Sequence, residues 1–203
     1  MPLFKGLGVP MDKEKIIMHV RGILEAIGED PDREGLRDTP ARVAGMYQEV
    51  FASIHLSNEE IARQLDVTFV DELELEEMHE DLVLMKDIGF FSYCEHHIAL
   101  MYNMKATVAY VPKSKVIGLS KVARAVDMVG KRLQLQERIG SDIAHVLSLI
   151  LDTEDVAVVV EAEHSCMTTR GIRKPGTRTL TTTFRGRFKT DPDLKNKFYA
   201  LYK

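Results

Sequence analysis

The order of segments predicts an α+β fold: N-terminal helices, then a four-stranded antiparallel sheet with two helices between its second and third strands. Three observations carry this. Helix-spaced apolar residues fill the first sixty positions, four Val-, Thr- and Phe-rich runs appear only after Leu82, and these runs come in two pairs with a helical block between them. Runs of helices and strands that do not alternate one by one disfavour a doubly wound parallel sheet.

Taken in order, Ile16, Val20, Ile23, Leu24 and Ile27 recur at three- and four-residue intervals and predict a helix between Asp12 and Ile27. A second helix is expected from Thr39, with the Thr39 hydroxyl as cap, Pro40 in the first turn and Val43, Met46, Tyr47, Val50 and Phe51 as its buried stripe. Ser57 and Glu60 form the capping box of a third, shorter helix. The acidic stretch DELELEEMHE, 71 to 80, reads as a solvated connection. The strand runs are LVLMKDIGFF, KATVAYVP, VAVVVEAEHSC and RTLTTTFRGRF. Between the second and third, Ser120 caps a helix carrying Val122, Val126 and Val129, and Ile139, Ile143, Val146, Leu147 and Ile150 mark another. Residues 1–66 therefore form a helical region ahead of a strand-bearing region, 67–203, within one compact subunit.

Composition narrows the function classes. A chain of 203 residues with 45% apolar and 29% charged residues is ordinary for a globular protein, and no apolar run reaches the ~20 residues that span a bilayer. The start MPLFKGLGVPMDKEK has no basic, apolar and small-residue succession of a secretory signal, so a cytoplasmic protein without membrane partners is expected. A net charge of -4 argues against sequence-indifferent nucleic-acid binding, which needs many cations on phosphates. Two cysteines exclude a disulfide scaffold and leave one bridge, thiol chemistry or metal ligation.

The densest chemical signal is SYCEHHIAL, where Cys94 and His97 are spaced so that one tight turn aims a thiolate and an imidazole at one point. The other cysteine, Cys166, follows His164, and strict alternation along VAVVVEAEHSC would put both on the face of Val156, Val158, Val160 and Ala162. Cys94, His97 and Cys166 make three ligands, the pattern of a catalytic zinc site with an open position. The alternatives are a structural site closed by His96 or His164 as fourth ligand, or unrelated residues. Lys121 and Arg124, at the start of a helix, are placed to share one anion with its free N–H groups. Arg170, Arg173, Lys174 and Arg178 follow Cys166, and Arg42 is a more distant cation. Gln136 and Glu137 open the last internal helix. A carboxylate there accepts from two donors on the Watson–Crick edge of guanine, or simply favours the helix dipole.

Together DTPARVAGMY, CEHH, VIGLSKVAR, QLQERI and EHSCMTTRGI resemble, in this order, the motifs of GTP cyclohydrolase I, over about residues 15 to 202. The resemblance implies the tunnelling fold, or T-fold, as the catalytic region. It implies zinc (Zn2+) on Cys94, His97 and Cys166, with His96 and His164 as acid–base pair and Ser120 acting in the ribose steps. Gln136 and Glu137 would hold guanine, and Arg42, Lys121, Arg124 and Arg170 the triphosphate of GTP. It also implies a homodecamer of two pentamers with active sites between subunits, and the product 7,8-dihydroneopterin triphosphate, at the entry to folate and pterin synthesis. A different T-fold enzyme acting on a pterin or deazapurine would not need this cysteine and histidine pairing together with the QER segment.

Overall fold

The computed structural model describes residues 11–66, 68–69, 82–113 and 115–203, and the acidic stretch 71 to 80 lies outside them. The chain forms two compact units, 1–56 and 57–203.

The first unit holds α1 (Lys13–Ala26) and α2 (Thr39–Val50), packed on each other. Asp12 caps α1 by accepting from the Lys15 N–H. The apolar periodicity does produce a helix, yet no α1 residue is buried in this chain: Met18 and Ile23 are each 59% exposed, and Ile27, just past its end, 70%. The cap position of α2 is Asp38, one residue before the expected Thr39, with Pro40 in the first turn. Met46, expected in the stripe, is exposed, whereas Ala44 and Phe51 are buried.

The second unit begins with α3 (Asn58–Leu65), which sequence places in the N-terminal region but which packs against the internal helices. Its capping box is present as expected, with Ser57 accepting from the Glu60 N–H and the Glu60 carboxylate accepting from the Ser57 N–H. Then come β1 (Thr68–Phe69), β2 (Val83–Cys94), β3 (Ala99–Tyr110) and β4 (Val116–Ile117). They are followed by α4 (Leu119–Gly130), β5 (Leu133–Gln134), α5 (Gln136–Leu151), β6 (Val156–His164) and α6 (Ser165–Thr168), then β7 (Thr179–Phe184), α7 (Arg187–Thr190) and α8 (Pro192–Tyr202).

The sheet has the order β5-β2-β3-β6-β7. The four long strands are antiparallel, as expected, and the two helices do lie between the second and third of them. The correction is a fifth strand, β5, pairing in parallel with the end of β2, and a separate β1–β4 pair. Two-residue strands carry no readable alternation, which is why sequence misses them. The last run also ends early. β7 stops at Phe184, and Phe188, expected on it, sits fully buried on α7.

Both faces of the middle strands are covered, which explains their near-continuous apolar sequence. Ala109, Val111, Ala157 and Val159 pack on Phe188, Leu194 and Phe198 from α7 and α8. On the other face α5 presents its buried stripe, with Ile139, Ile143, Val146 and Leu147 each at 0% exposure. Its approach is so close that a Cβ at Gly140 would lie 2.9 Å from Thr183 Oγ1, which would have to shift to admit it. No helix among the described residues is long and apolar enough to cross a membrane.

Candidate metal centre and active site

Strand order builds the site. β3 lies between β2 and β6, and its start pairs with the end of both: Ala99 faces Cys94, and Met101 faces His164. Two segments far apart in sequence therefore finish side by side. From β2 the chain turns through residues 95–98, a four-residue connection that carries His96 and His97. From β6 it passes directly into α6, which carries Cys166.

The ligand atoms of Cys94, His97 and Cys166 all lie within 4.8 Å of one another. Cys94 is buried, His97 exposed and Cys166 half-buried, so the group opens to one side. The backbone beneath Cys94 is held from both flanks, because on one side Tyr93 and Cys94 pair with β5 and Glu95 N–H donates to the Gln134 carbonyl at 3.1 Å, while on the other Cys94 pairs with Ala99 of β3. Ile98 closes the turn at φ 49°, a left-handed conformation that a β-branched residue adopts only when its surroundings impose it. Tyr102 ties α6 to β3 by donating its hydroxyl to Thr168 Oγ1 at 3.3 Å.

Cys166 reaches the group by a different route from the one its sequence implies. It is not the last residue of an alternating strand. β6 ends at His164, and the helical turn of α6 carries Cys166 round to Cys94. Burial and the neighbouring Cys94 sulfur push the Cys166 thiol up, while Arg170 acts in the other direction. Arg170 donates to His97 Nε2 at 2.6 Å, which places this cation at the rim of the group.

His164 stands beside the cysteines but outside the convergent set. Its Nε2 is 2.7 Å from Gln136 Oε1. Burial lowers the His164 pKa, with nearby Glu137 opposing, so the ring is biased towards its neutral form. His96 presents its ring edge-on to His97, centroids 6.3 Å apart. Among the described residues, then, the convergent ligands number three, and neither His96 nor His164 completes a fourth.

The remaining expected residues divide. Glu137, at the start of α5, is exposed and close enough to His164 to influence its charge. Gln136 is buried, and its amide hydrogens go to the Val160 and Thr179 carbonyls at 3.0 and 2.8 Å. Sequence assigns Gln136 to guanine; the structure gives it partners inside the fold. The hint available was its position one turn before the buried Ile139 and Gly140. Ser120, Lys121 and Arg124 lie in the first turns of α4, whose cap residue is Gly118 rather than Ser120. Among the described residues, no hydrogen bond or ion pair joins them to the cysteine and histidine group. Arg42 lies in the first unit, exposed, with Asp38 at 3.4 Å.

Soft thiolate and imidazole donors converging on one point, open on one side and flanked by a half-buried histidine and an arginine, are suited to a metal ion with a position left for a reactant. Comparison with known proteins places this arrangement. The family model for GTP cyclohydrolase I matches residues 16–203. A protein named GTP cyclohydrolase 1 from Clostridium botulinum (strain Kyoto / Type A2) is 62% identical over 192 residues, covering 95% of this chain and 98% of that protein. One of the same name from Ruminiclostridium cellulolyticum is 61% identical over 193 residues, covering 95% and 99%. Another from Clostridium acetobutylicum is 54% identical over 193 residues. With the match running through both strand ends that build the site and through nearly the whole chain besides, this protein belongs to the GTP cyclohydrolase I family.

Proposed function

We propose that this chain opens the imidazole ring of the guanine of GTP, releases formate and rebuilds the remainder as 7,8-dihydroneopterin triphosphate. It does so with a zinc ion held by Cys94, His97 and Cys166. The observation that carries this reading is the convergence of the three ligand atoms within 4.8 Å, immediately beside His164. Two thiolates and one imidazole fit zinc better than the harder divalent cations, which favour oxygen ligands. When bound, such an ion supplies a Lewis acid that makes water nucleophilic near neutral pH.

The protein's own residues do the rest. His164, held by Gln136 and kept mainly neutral by burial, exchanges protons with the purine ring nitrogen while C8 is attacked. His96, on the exposed turn, is the second proton carrier. Glu137 accepts from the N1–H and 2-amino group of guanine, a pair of donors that adenine does not offer. With the Gln136 amide committed to β6 and β7, the carboxylate alone reads this edge. Arg170 takes part of the triphosphate, joined by Lys121, Arg124 and Arg42, and Ser120 acts in the ribose rearrangement. Membership of the GTP cyclohydrolase I family supports an assembly in which subunits share sites, a homodecamer of two pentamers. The product would serve folate or pterin synthesis.

The test is to incubate the purified protein with GTP, with and without a chelator, and to follow formate together with the fluorescence of the oxidised, dephosphorylated pterin. Both products should appear, and only with metal. Intact GTP in the presence of bound zinc would refute the reading.

A further inference from the structure

Gln136 is the first residue of α5 and is 3% exposed. Its side-chain nitrogen donates to the Val160 carbonyl of β6 at 3.0 Å and to the Thr179 carbonyl of β7 at 2.8 Å. An amide nitrogen has two hydrogens, and these two carbonyls use both. Turning the amide over would set its oxygen against two carbonyl oxygens, so the orientation is fixed by the strands beneath it. Those strands are themselves locked, Val160 opposite Thr181 and Ala162 opposite Thr179. The close seat of α5 on β7 at Gly140, one turn further on, holds the glutamine over them.

With its nitrogen pointed down, Gln136 offers His164 only an oxygen. That oxygen is an acceptor without a hydrogen, and it stands 2.7 Å from His164 Nε2. Such a contact is a hydrogen bond only if Nε2 carries the proton. We infer that Gln136 is a positioning residue: it holds neutral His164 in the Nε2–H tautomer, which leaves Nδ1 as the lone-pair nitrogen through which the ring takes up and returns a proton. The inference rests on the reading of His164 as a proton carrier and goes beyond it by naming the nitrogen that works and the residue that selects it. A histidine held by a fixed acceptor loses the freedom to present either nitrogen, and a positioned proton carrier typically contributes about 100- to 10,000-fold, of which the loss of its orienting partner forfeits a part.

The experiment is magic-angle-spinning 15N NMR on zinc-loaded, histidine-labelled protein at neutral pH, with the His164 signals identified by their loss in His164→Asn. The expected result is a lone-pair (pyridine-type) signal for Nδ1 and an N–H (pyrrole-type) signal for Nε2. In Gln136→Met, which keeps the length and removes the amide, the two forms should become mixed. The same variant should lower kcat about tenfold or more while KM for GTP stays within about twofold. A proton on Nδ1 in the unaltered protein would overturn the inference, and that spectrum decides it whether or not the variant folds. A raised KM with unchanged kcat in Gln136→Met would also overturn it, returning Gln136 to guanine recognition. The Nε2–H form together with full activity in His164→Asn would uphold the tautomer and sink the proton-carrier reading instead.

Discussion

Two polar clusters adjoin the two-residue strand β5, and they are built on opposite terms. In the first, Arg132 donates to Asn58 at 2.8 Å and to Asp142 at 3.2 Å, Asn58 donates to Asp142 at 3.0 Å, and buried Gln134 donates to the same carboxylate at 3.0 Å. Its ion pair is nearly closed to solvent, with side-chain exposures of 13% and 17%. Burial lowers the Arg132 pKa and facing Asp142 raises it, the balance that keeps a charge tolerable inside a fold. In the second cluster, two free thiols and an exposed imidazole converge with an arginine against a histidine and no carboxylate among them. The first cluster joins its guanidinium, amides and carboxylate to one another within the chain. The second has its donors aimed at a shared point, where they could hold a metal ion. Density of polar groups does not distinguish architecture from function; mutual satisfaction does.

Substitutions separate the two. Cys166→Ser should bring GTP turnover to background and remove bound zinc, while the urea midpoint moves little; metal-independent turnover by this variant would refute the assignment of Cys166. Asp142→Ala should do the reverse. Leaving Arg132 without its carboxylate is expected to cost about 3 kcal/mol of stability, read as a lower urea midpoint, with kcat/KM of the folded protein near that of the parent. Glu137→Ala, at the open cluster's edge, should raise KM for GTP about tenfold to a hundredfold, the loss of a charged hydrogen-bonding partner, and binding titrations will measure it. Ser57→Ala removes the cap of α3 and should lower stability by about 1 kcal/mol with turnover unchanged.

The smallest effect expected is an acid one, at the cap of α8. Asp191 accepts from the N–H groups of Leu194 and Asp193 and pairs with Arg187, and these hold its carboxyl below the usual carboxylate range. The unfolded chain binds that proton more readily, so the contribution is full above about pH 4, the unfolded value, and disappears as pH falls through the lower folded one. The stability difference between the parent and Asp191→Asn should be level at neutral pH and shrink in acid; a difference growing in acid would contradict the assignment.

What was legible in sequence follows the reach of the physics. The α5 stripe, the Ser57 capping box and the pairing of Cys94 with His97 depend on neighbours a few residues apart, and all three stand in the structure. The α1 periodicity foretold a helix but not burial, because a stripe shows what can be covered and not whether this chain covers it. The route of Cys166 is not legible from alternation, because β6 ends at His164 and α6 carries the chain on. The side-chain partners that Gln136 has within the fold, Val160, Thr179 and His164, are set by strand order, which no local pattern contains. For the same reason α7 and α8, whose burial comes from distant aromatic partners, were not foreseen.

The central claim is that the cysteine and histidine group is a working site and not a structural clasp. The most direct measurement strips the metal with a chelator, records GTP turnover and far-ultraviolet circular dichroism on the same sample, and then restores zinc. Turnover should vanish with the dichroism and urea midpoint retained, and return with the zinc. Unfolding in step with the loss of turnover would contradict the claim and make the group a structural metal site.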